Sequence, residues 1–194
     1  YLDAVRFLSN PSSGKMGLSM ARAAYQLGAE VTFIHGPISL QIPAYLENIS
    51  IQNAEELFKA VKKHRDANCI IMTAAVSDFR PAKKISQKYK KDSMSTTFEL
   101  ESNPDILAWL GENKKANQVL IGFAMETDDL IENAQSKRQR KKVDWIAANA
   151  ISKHNPAFGD DKNEITLIGE KREVQLKGPK DTLAQQILAT VFDI

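Results

Sequence analysis

The sequence predicts an α/β layer fold with a mainly parallel sheet and helices on both of its faces. Short apolar runs alternate with amphipathic segments along the chain, which is the pattern of strands joined by crossover helices. The run CIIMTAAV (69–76) is continuously apolar, as a strand covered on both faces has to be. Neither an internal repeat nor a linker divides the 194 residues, so one domain spanning 1–194 is expected.

The elements follow in order. Apolar residues from Met16 to Met20, then Ala23, Ala24 and Leu27, recur at helical spacing, and Gly28 closes the segment. EVTFIHG (30–36) reads as a buried strand stopped by Gly36-Pro37, and ENISIQ (47–52) as another. Asn53 is a good N-cap for AEELFKAVKKHRDA. After CIIMTAAV comes a polar stretch from Ser77 to about Ser95 without periodicity, long enough to be a binding segment or a lid. TTFELES, a helix from Pro104 to about Lys115, the strand QVLIGFAM, a helix from Asp128 to about Lys142 and the strand WIAANA resume the alternation. EITLIGEKREVQLKG reads as a hairpin turning at Glu170-Lys171, and KDTLAQQILATVFDI as a closing helix with Leu183, Ile187, Leu188 and Val191 on its apolar face. The sum is a three-layer, Rossmann-like α/β architecture with a C-terminal β-hairpin. Such sheets bind ligands at the carboxyl ends of their strands, here the loops after HG, AAV, GFAM and AANA.

Composition excludes several classes. With 26 Lys plus Arg against 24 Asp plus Glu, a net charge of +2 does not by itself argue for nucleic acid. The chain also lacks an aromatic-rich surface stripe, which gives a nucleic-acid-binding module little support. No apolar run approaches the ~18 residues of a membrane span, and YLDAVRFLSN has no signal-peptide pattern. The single cysteine, Cys69, sits in an apolar run; it reads as a core residue, rules out an internal disulfide and fits a reducing cytoplasm. There is no G-x-G-x-x-G, no Tyr-x-x-x-Lys pair, and no glycine placed to make Gly14-Lys15 a phosphate-binding P-loop. His35, His64 and His154 lack partners at metal-ligand spacing.

Four constellations can carry chemistry, each with a plainer alternative. The loop Ser9-Asn10-Pro11-Ser12-Ser13-Gly14 precedes a helix and leaves amides free for a phosphate or oxyanion, or is simply a serine cap; Asn10 adds a donor and an acceptor together. Asp78, beside Phe79 and Arg80 at a strand end, is a metal or ribose ligand or a turn aspartate. Lys83, Lys84, Lys88, Lys90 and Lys91 are a solvated run or a closing clamp on polyphosphate. Lys137 and Lys141 share one helix face, with Arg138 and Lys142 beside them, and serve either an anion or the helix dipole. Asn103-Pro104-Asp105 opens a helix, and Phe123 ends a core strand, so loop backbone and an aromatic ring together suit a nucleobase.

Taken jointly, VRFLSNPSSGKMG, AAVSDFRP, KYKK, NPDIL, GFAMET and KRQRKKVDWIAAN, in this order and spacing, resemble bacterial phosphopantothenoylcysteine synthetase. The likeness covers nearly the whole chain and is to the synthetase half of the bifunctional enzyme whose other half is a flavin-dependent decarboxylase. It implies activation of the carboxylate of 4'-phosphopantothenate by CTP, with Mg²⁺, to an acyl-cytidylate, and then amide formation with cysteine, in coenzyme A biosynthesis. Asn10 matches the asparagine that handles the acyl-cytidylate, and Lys88 the first lysine of the Lys-x-Lys-Lys element over the nucleotide. Ala74 and Asp78 match nucleotide contacts, Asp78 doubling as a magnesium ligand. Pro104, Asp105, Ile106 and Leu107 match the turn whose backbone reads cytosine, with Phe123 packed near it, and Lys137 and Lys141 match the pair on the triphosphate. Arg6, Asn10, Ser12, Ser13 and Gly14 form the acyl-substrate side. The resemblance further implies a cytoplasmic homodimer sharing its pockets between protomers, with no nucleic-acid or membrane partner. Family members begin with a strand and a glycine-threonine-rich turn before Asp3, and this chain starts after them. CTP against ATP is set by the likeness alone, and a nucleotide-binding regulatory domain without ligase activity is the rival reading.

Overall fold

The computed structural model describes residues 2–83, 97–126, 128–150 and 161–194. In chain order these hold α1 (Lys15–Gln26), β1 (Thr32–His35), β2 (Glu47–Ser50), α2 (Ala54–Lys63), β3 (Cys69–Met72), β4 (Phe79–Pro81) and β5 (Leu100–Ser102). Then follow α3 (Ile106–Glu112), β6 (Val119–Glu126), α4 (Leu130–Lys141), β7 (Trp145–Ala150), β8 (Lys162–Ile168), β9 (Glu173–Pro179) and α5 (Lys180–Phe192).

The five-stranded sheet runs β3-β6-β7-β8-β9. β3 and β6, and β6 and β7, pair in parallel, whereas β7–β8 and β8–β9 are antiparallel. The sheet is therefore mixed, not mainly parallel. The antiparallel sense of β8 and β9 follows from the tight turn between Ile168 and Glu173, closed by the amide of Gly169 donating to the carbonyl of Arg172 at 2.8 Å, since so short a connection cannot return a parallel strand. β1 and β2 form a separate parallel pair, and β4 and β5 a separate antiparallel one.

Side-chain alternation explains how both faces of the sheet are covered. In β7, Ile146 and Ala148 join Leu57 and Val61 of α2, Leu107 and Leu110 of α3, and Ala134 of α4 in one cluster. Ala147 points the other way, into a cluster with Met20 and Ala23 of α1 and with Leu183, Ile187 and Leu188 of α5. Burying each large aliphatic side chain contributes about 1.5–3 kcal/mol, so this double cladding is the main stabilising term. A local signal fixes the start of α2. Asn53 accepts from the amide of Glu56 at 2.9 Å while Glu56 accepts from the amide of Gln52 at 2.8 Å, a reciprocal cap that ties β2 to α2.

Cys69 opens β3 and is inert by position. Burial, reinforced by the negative charge of Asp144, pushes its thiol up from 9.0 to about 11. At pH 8 the folded chain is expected to react with a thiol reagent about a hundredfold more slowly than the unfolded chain, on thiolate population alone. A stopped-flow comparison in and out of denaturant checks this, and equal rates would contradict it.

Candidate active site

The C-terminal ends of β1, β2, β3, β6 and β7 and the N-terminus of α1 surround one cavity of about 700 Å³, within the usual range for a small-molecule site. Its walls come from residues far apart in sequence: Asn10, Ser12 to Gly17, His35 to Ile38, Gln52 to Glu55, Thr73 to Ala82, Asn103, Phe123 to Met125, Lys137 and Asn149. The loops after HG and AAV and the strand segments GFAM and AANA thus meet where strand polarity predicts.

The segment before α1 is held by geometry more than by serine capping. Gly14 is the N-cap residue at φ 75°, no side chain caps the helix, and Ser13 Oγ accepts only a long 3.4 Å bond from the amide of Lys15. A Cβ at Gly14 would lie 2.6 Å from Cγ2 of Ile38, so left-handed backbone and close approach to the loop after β1 both require glycine here. Lys15, Met16 and Gly17 of the first turn of α1 line the cavity, and a helix N-terminus suits anionic oxygen. Asn10 crosses the mouth and donates one Nδ2 hydrogen to the carbonyl of Ala75 at 3.0 Å, which leaves the other as a donor and Oδ1 as an acceptor. Lys15 is turned aside to Asp161, at 2.6 Å, and holds that carboxyl below the usual carboxylate range.

Two charged groups on the wall have no ion-pair partner among the described residues: Lys137, half-buried on α4, and Asp78, at the end of the loop from β3. A half-buried ammonium without an ion-pair partner among the described residues, on a cavity that a helix N-terminus also lines, favours an anionic ligand. No cluster of three or more potential metal-ligating side chains occurs among the described residues. Asp78 alone is nonetheless the kind of single carboxylate by which magnesium is held together with substrate phosphates.

Of the residues predicted from sequence, Asn10, Ser12, Ser13, Gly14, Ala74, Asp78, Phe123 and Lys137 line this one cavity. Phe123 lies inside β6, opposite Ala147, and not at a strand end, because β6 continues to Glu126. Pro104, Asp105, Ile106 and Leu107 stand behind Asn103 and do not line the cavity; Ile106 and Leu107 are buried in the core. Asp105 caps α3, accepting from the amide of Ala108 at 3.0 Å, and forms an ion pair with Lys141, so Lys141 is engaged there and not on the cavity wall. Arg6 is folded back on Asp3, a residue that is 1% exposed, with Nε 2.8 Å from Oδ2, and is also outside the lining. Lys84, Lys88, Lys90, Lys91 and His154 lie outside the described residues.

Sequence reading missed a polar bracket on one wall. Arg80 Nη1 donates to the carbonyl of Ser102 (3.1 Å) and to Oδ1 of Asn103 (3.0 Å). Asn103 in turn donates from Nδ2 to the carbonyl of Ser77 and from its amide to the carbonyl of Asp78, both at 2.8 Å. It also passed over Asn149, 4% exposed in an otherwise apolar strand, a buried polar residue whose position in WIAANA is itself a signal.

Residues 1–194 match the family described as the DNA/pantothenate metabolism flavoprotein C-terminal domain. The chain belongs to this family. A relative within reach is the coenzyme A biosynthesis bifunctional protein CoaBC of Bacillus subtilis (strain 168), 42% identical over 196 residues, covering 97% of this chain and 48% of that protein. A protein from a prokaryotic organism of unknown identity, named cysteine/cysteine sulfinic acid decarboxylase, is 42% identical over 184 residues, covering 91% of this chain and 51% of its own length. The crystal structure of the C-terminal domain of CoaBC superposes with a TM-score of 0.79 at 34% identity, covering 98% of this chain and 87% of that one. The chain spans about half the length of the curated relatives it matches. The family's α/β scaffold is thus the frame that carries the cavity, and no helix among the described residues is long and apolar enough to cross a membrane.

Proposed function

We propose that this domain is a phosphopantothenate–cysteine ligase of coenzyme A biosynthesis, using CTP. The observation that carries the reading is the convergence of Asn10, Asp78 and the unpaired Lys137, from three separate segments, on one cavity with helix amides at its edge. Membership of the family to which the C-terminal half of CoaBC is similar supports it.

The chemistry asks little proton transfer of the protein. In the first step a carboxylate oxygen of 4'-phosphopantothenate attacks the α-phosphorus of CTP, the bond to the β-phosphate oxygen breaks, and pyrophosphate leaves. In the second, the cysteine amine attacks the acyl carbon, the acyl–phosphate bond breaks, CMP leaves and the amine loses a proton to water. Catalysis then rests on holding the reactants in line and on cancelling phosphate charge. Lys137 supplies fixed positive charge beside the phosphates, and the α1 amides and Asn10 face the acyl end. Magnesium, held through Asp78 and the phosphates, supplies further charge neutralisation when bound. By the family resemblance Lys88, outside the described residues, is assigned a second positive charge for the α-phosphate. By the family resemblance the turn 104–107 is assigned to the base, from behind Asn103 and outside the cavity lining, with Lys141 held to Asp105 beside it.

The same reading places the domain in the cytoplasm, as a homodimer in which Arg6 and the Asn10 loop serve the neighbouring pocket, fused in a longer chain to a flavin-dependent decarboxylase. Pyrophosphate release tests the core of it. Release is expected with phosphopantothenate, CTP and Mg²⁺ together and no cysteine, with CMP appearing only when cysteine is added. Release from CTP alone, or from no mixture, would leave a nucleotide-binding regulatory domain as the better description.

A further inference from the structure

The long segment between β4 and β5 leaves and returns through a short two-stranded stem, Phe79–Pro81 paired with Leu100–Ser102. Three-residue strands with a proline at the edge make a weak ladder, so side chains have to fix this stem. Arg80 does so from its middle. Besides its bonds to Ser102 and Asn103, its Nε lies 2.9 Å from Glu101 and its Nη2 3.6 Å from Glu55, in the first turn of α2. Asn103 closes the other side by bonding two consecutive carbonyls, those of Ser77 and Asp78.

We propose that Arg80 and Asn103 are positioning residues for nucleotide selection: their juxtaposition locks the loop bearing Asp78 to the turn leading into Pro104 and Asp105, and so fixes one wall of the cavity. The inference rests on the nucleotide reading of that cavity and goes beyond it, since neither side chain has to touch the nucleotide. A base read by backbone groups is discriminated only as well as that backbone is held, because main-chain donors and acceptors carry information through their placement alone. The bracket spans the distance between the group assigned to the ribose or magnesium and the turn assigned to the base. Releasing it leaves both in place and lets the spacing between them drift.

The test compares the parent domain with N103A, N103D and R80K. N103D keeps the acceptor for Arg80 and loses the donor to Ser77. R80K keeps the charge toward Glu101 and Glu55 but cannot reach Ser102 and Asn103 with one planar group, which guards against loss of folding. In each, the KM for CTP is expected to rise about tenfold with kcat within about threefold, and the preference for CTP over ATP to fall by a similar factor. Native-state exchange of the Asn103 amide should quicken in the same variants. Faster exchange with unchanged KM and unchanged CTP preference is the result of a merely structural role and overturns the proposal, as does loss confined to kcat. A parent domain that binds CTP without releasing pyrophosphate sinks the ligase reading instead, and the bracket is then judged by the dissociation constants for CTP and ATP. A parent that binds neither nucleotide overturns both.

Discussion

Gly111→Ala is expected to destabilise the domain by about 3 kcal/mol or more, at or beyond the upper end of ordinary overpacking. A Cβ at Gly111, in the last turn of α3, would sit 1.8 Å from the carbonyl oxygen of Lys141, 2.9 Å from its carbonyl carbon and 3.1 Å from the oxygen of Lys142. These are backbone atoms at the end of α4 and cannot swing aside as a side chain would. They are pinned further by the turn itself: Lys142 adopts φ 52°, its amide bonds to Gln139 O and the Val143 amide to Arg138 O, both at 3.1 Å. The only relief is to part α3 from α4, which opens the packing of Leu110 and Val143, each 3% exposed. Against a total stability of about 5–15 kcal/mol this is a large fraction, read as a lower denaturant midpoint at unchanged m-value. Gly28→Ala is the control. It has φ 85° but nothing within 4 Å of the added Cβ, so it should cost only about 1 kcal/mol for the left-handed backbone. Equal losses at the two glycines would refute the argument from contact.

The fold was legible wherever a strand or helix carries its own pattern. CIIM, VLIGFAME and WIAANA announce themselves because both sides of the sheet are clad, and Asn53 and Glu56 mark the start of α2 by a local exchange of hydrogen bonds. The stem of β4 and β5 was not legible from one end, because Phe79-Arg80-Pro81 has no period and acquires strand form only from a partner some twenty residues away. The sense of the sheet went astray for a related reason. The hairpin of β8 and β9 is legible from its own turn, but the antiparallel pairing of β8 with β7 depends on contacts that no single segment encodes.

The site divides in the same way. The family resemblance singles out Asn10, Asp78 and Lys137, and the structure brings these three to one cavity. Which partners the site residues meet there was not legible, since Asn10 bonding Ala75, Lys15 bonding Asp161 and Arg80 bonding Asn103 join loops whose relative placement is a property of the whole core. The same limit explains Lys141. Spacing puts it on the face of Lys137, yet only the packing of α3 against α4 brings Asp105 close enough to claim it.

Asn10→Asp is expected to retain pyrophosphate release within about tenfold while slowing amide formation by about 10²–10³-fold, the usual consequence of removing one donor from a developing oxyanion. In the parent, Asn10 Nδ2 is anchored on the carbonyl of Ala75, so the amide plane is set before any substrate arrives. Aspartate is nearly the same shape but puts an acceptor oxygen where the donor was, 3.0 Å from that carbonyl, and adds a negative charge at the mouth of the cavity. The side chain must therefore turn away from Ala75 and no longer presents a donor to the acyl group. On the proposed ligase reading the first step is less affected, because its charge would be met by lysine, magnesium and the N-terminus of α1, which the substitution leaves in place, and because Asn10 is exposed and its new charge is screened. Acyl-cytidylate should then accumulate and be recoverable by mass spectrometry after a rapid quench, with CMP release on cysteine addition slowed to match. Asn10→Ala separates the two causes, losing the donor without gaining the charge, and should show the same slow second step with a first step nearer the parent. Equal loss of both steps in both variants would show that Asn10 serves binding alone.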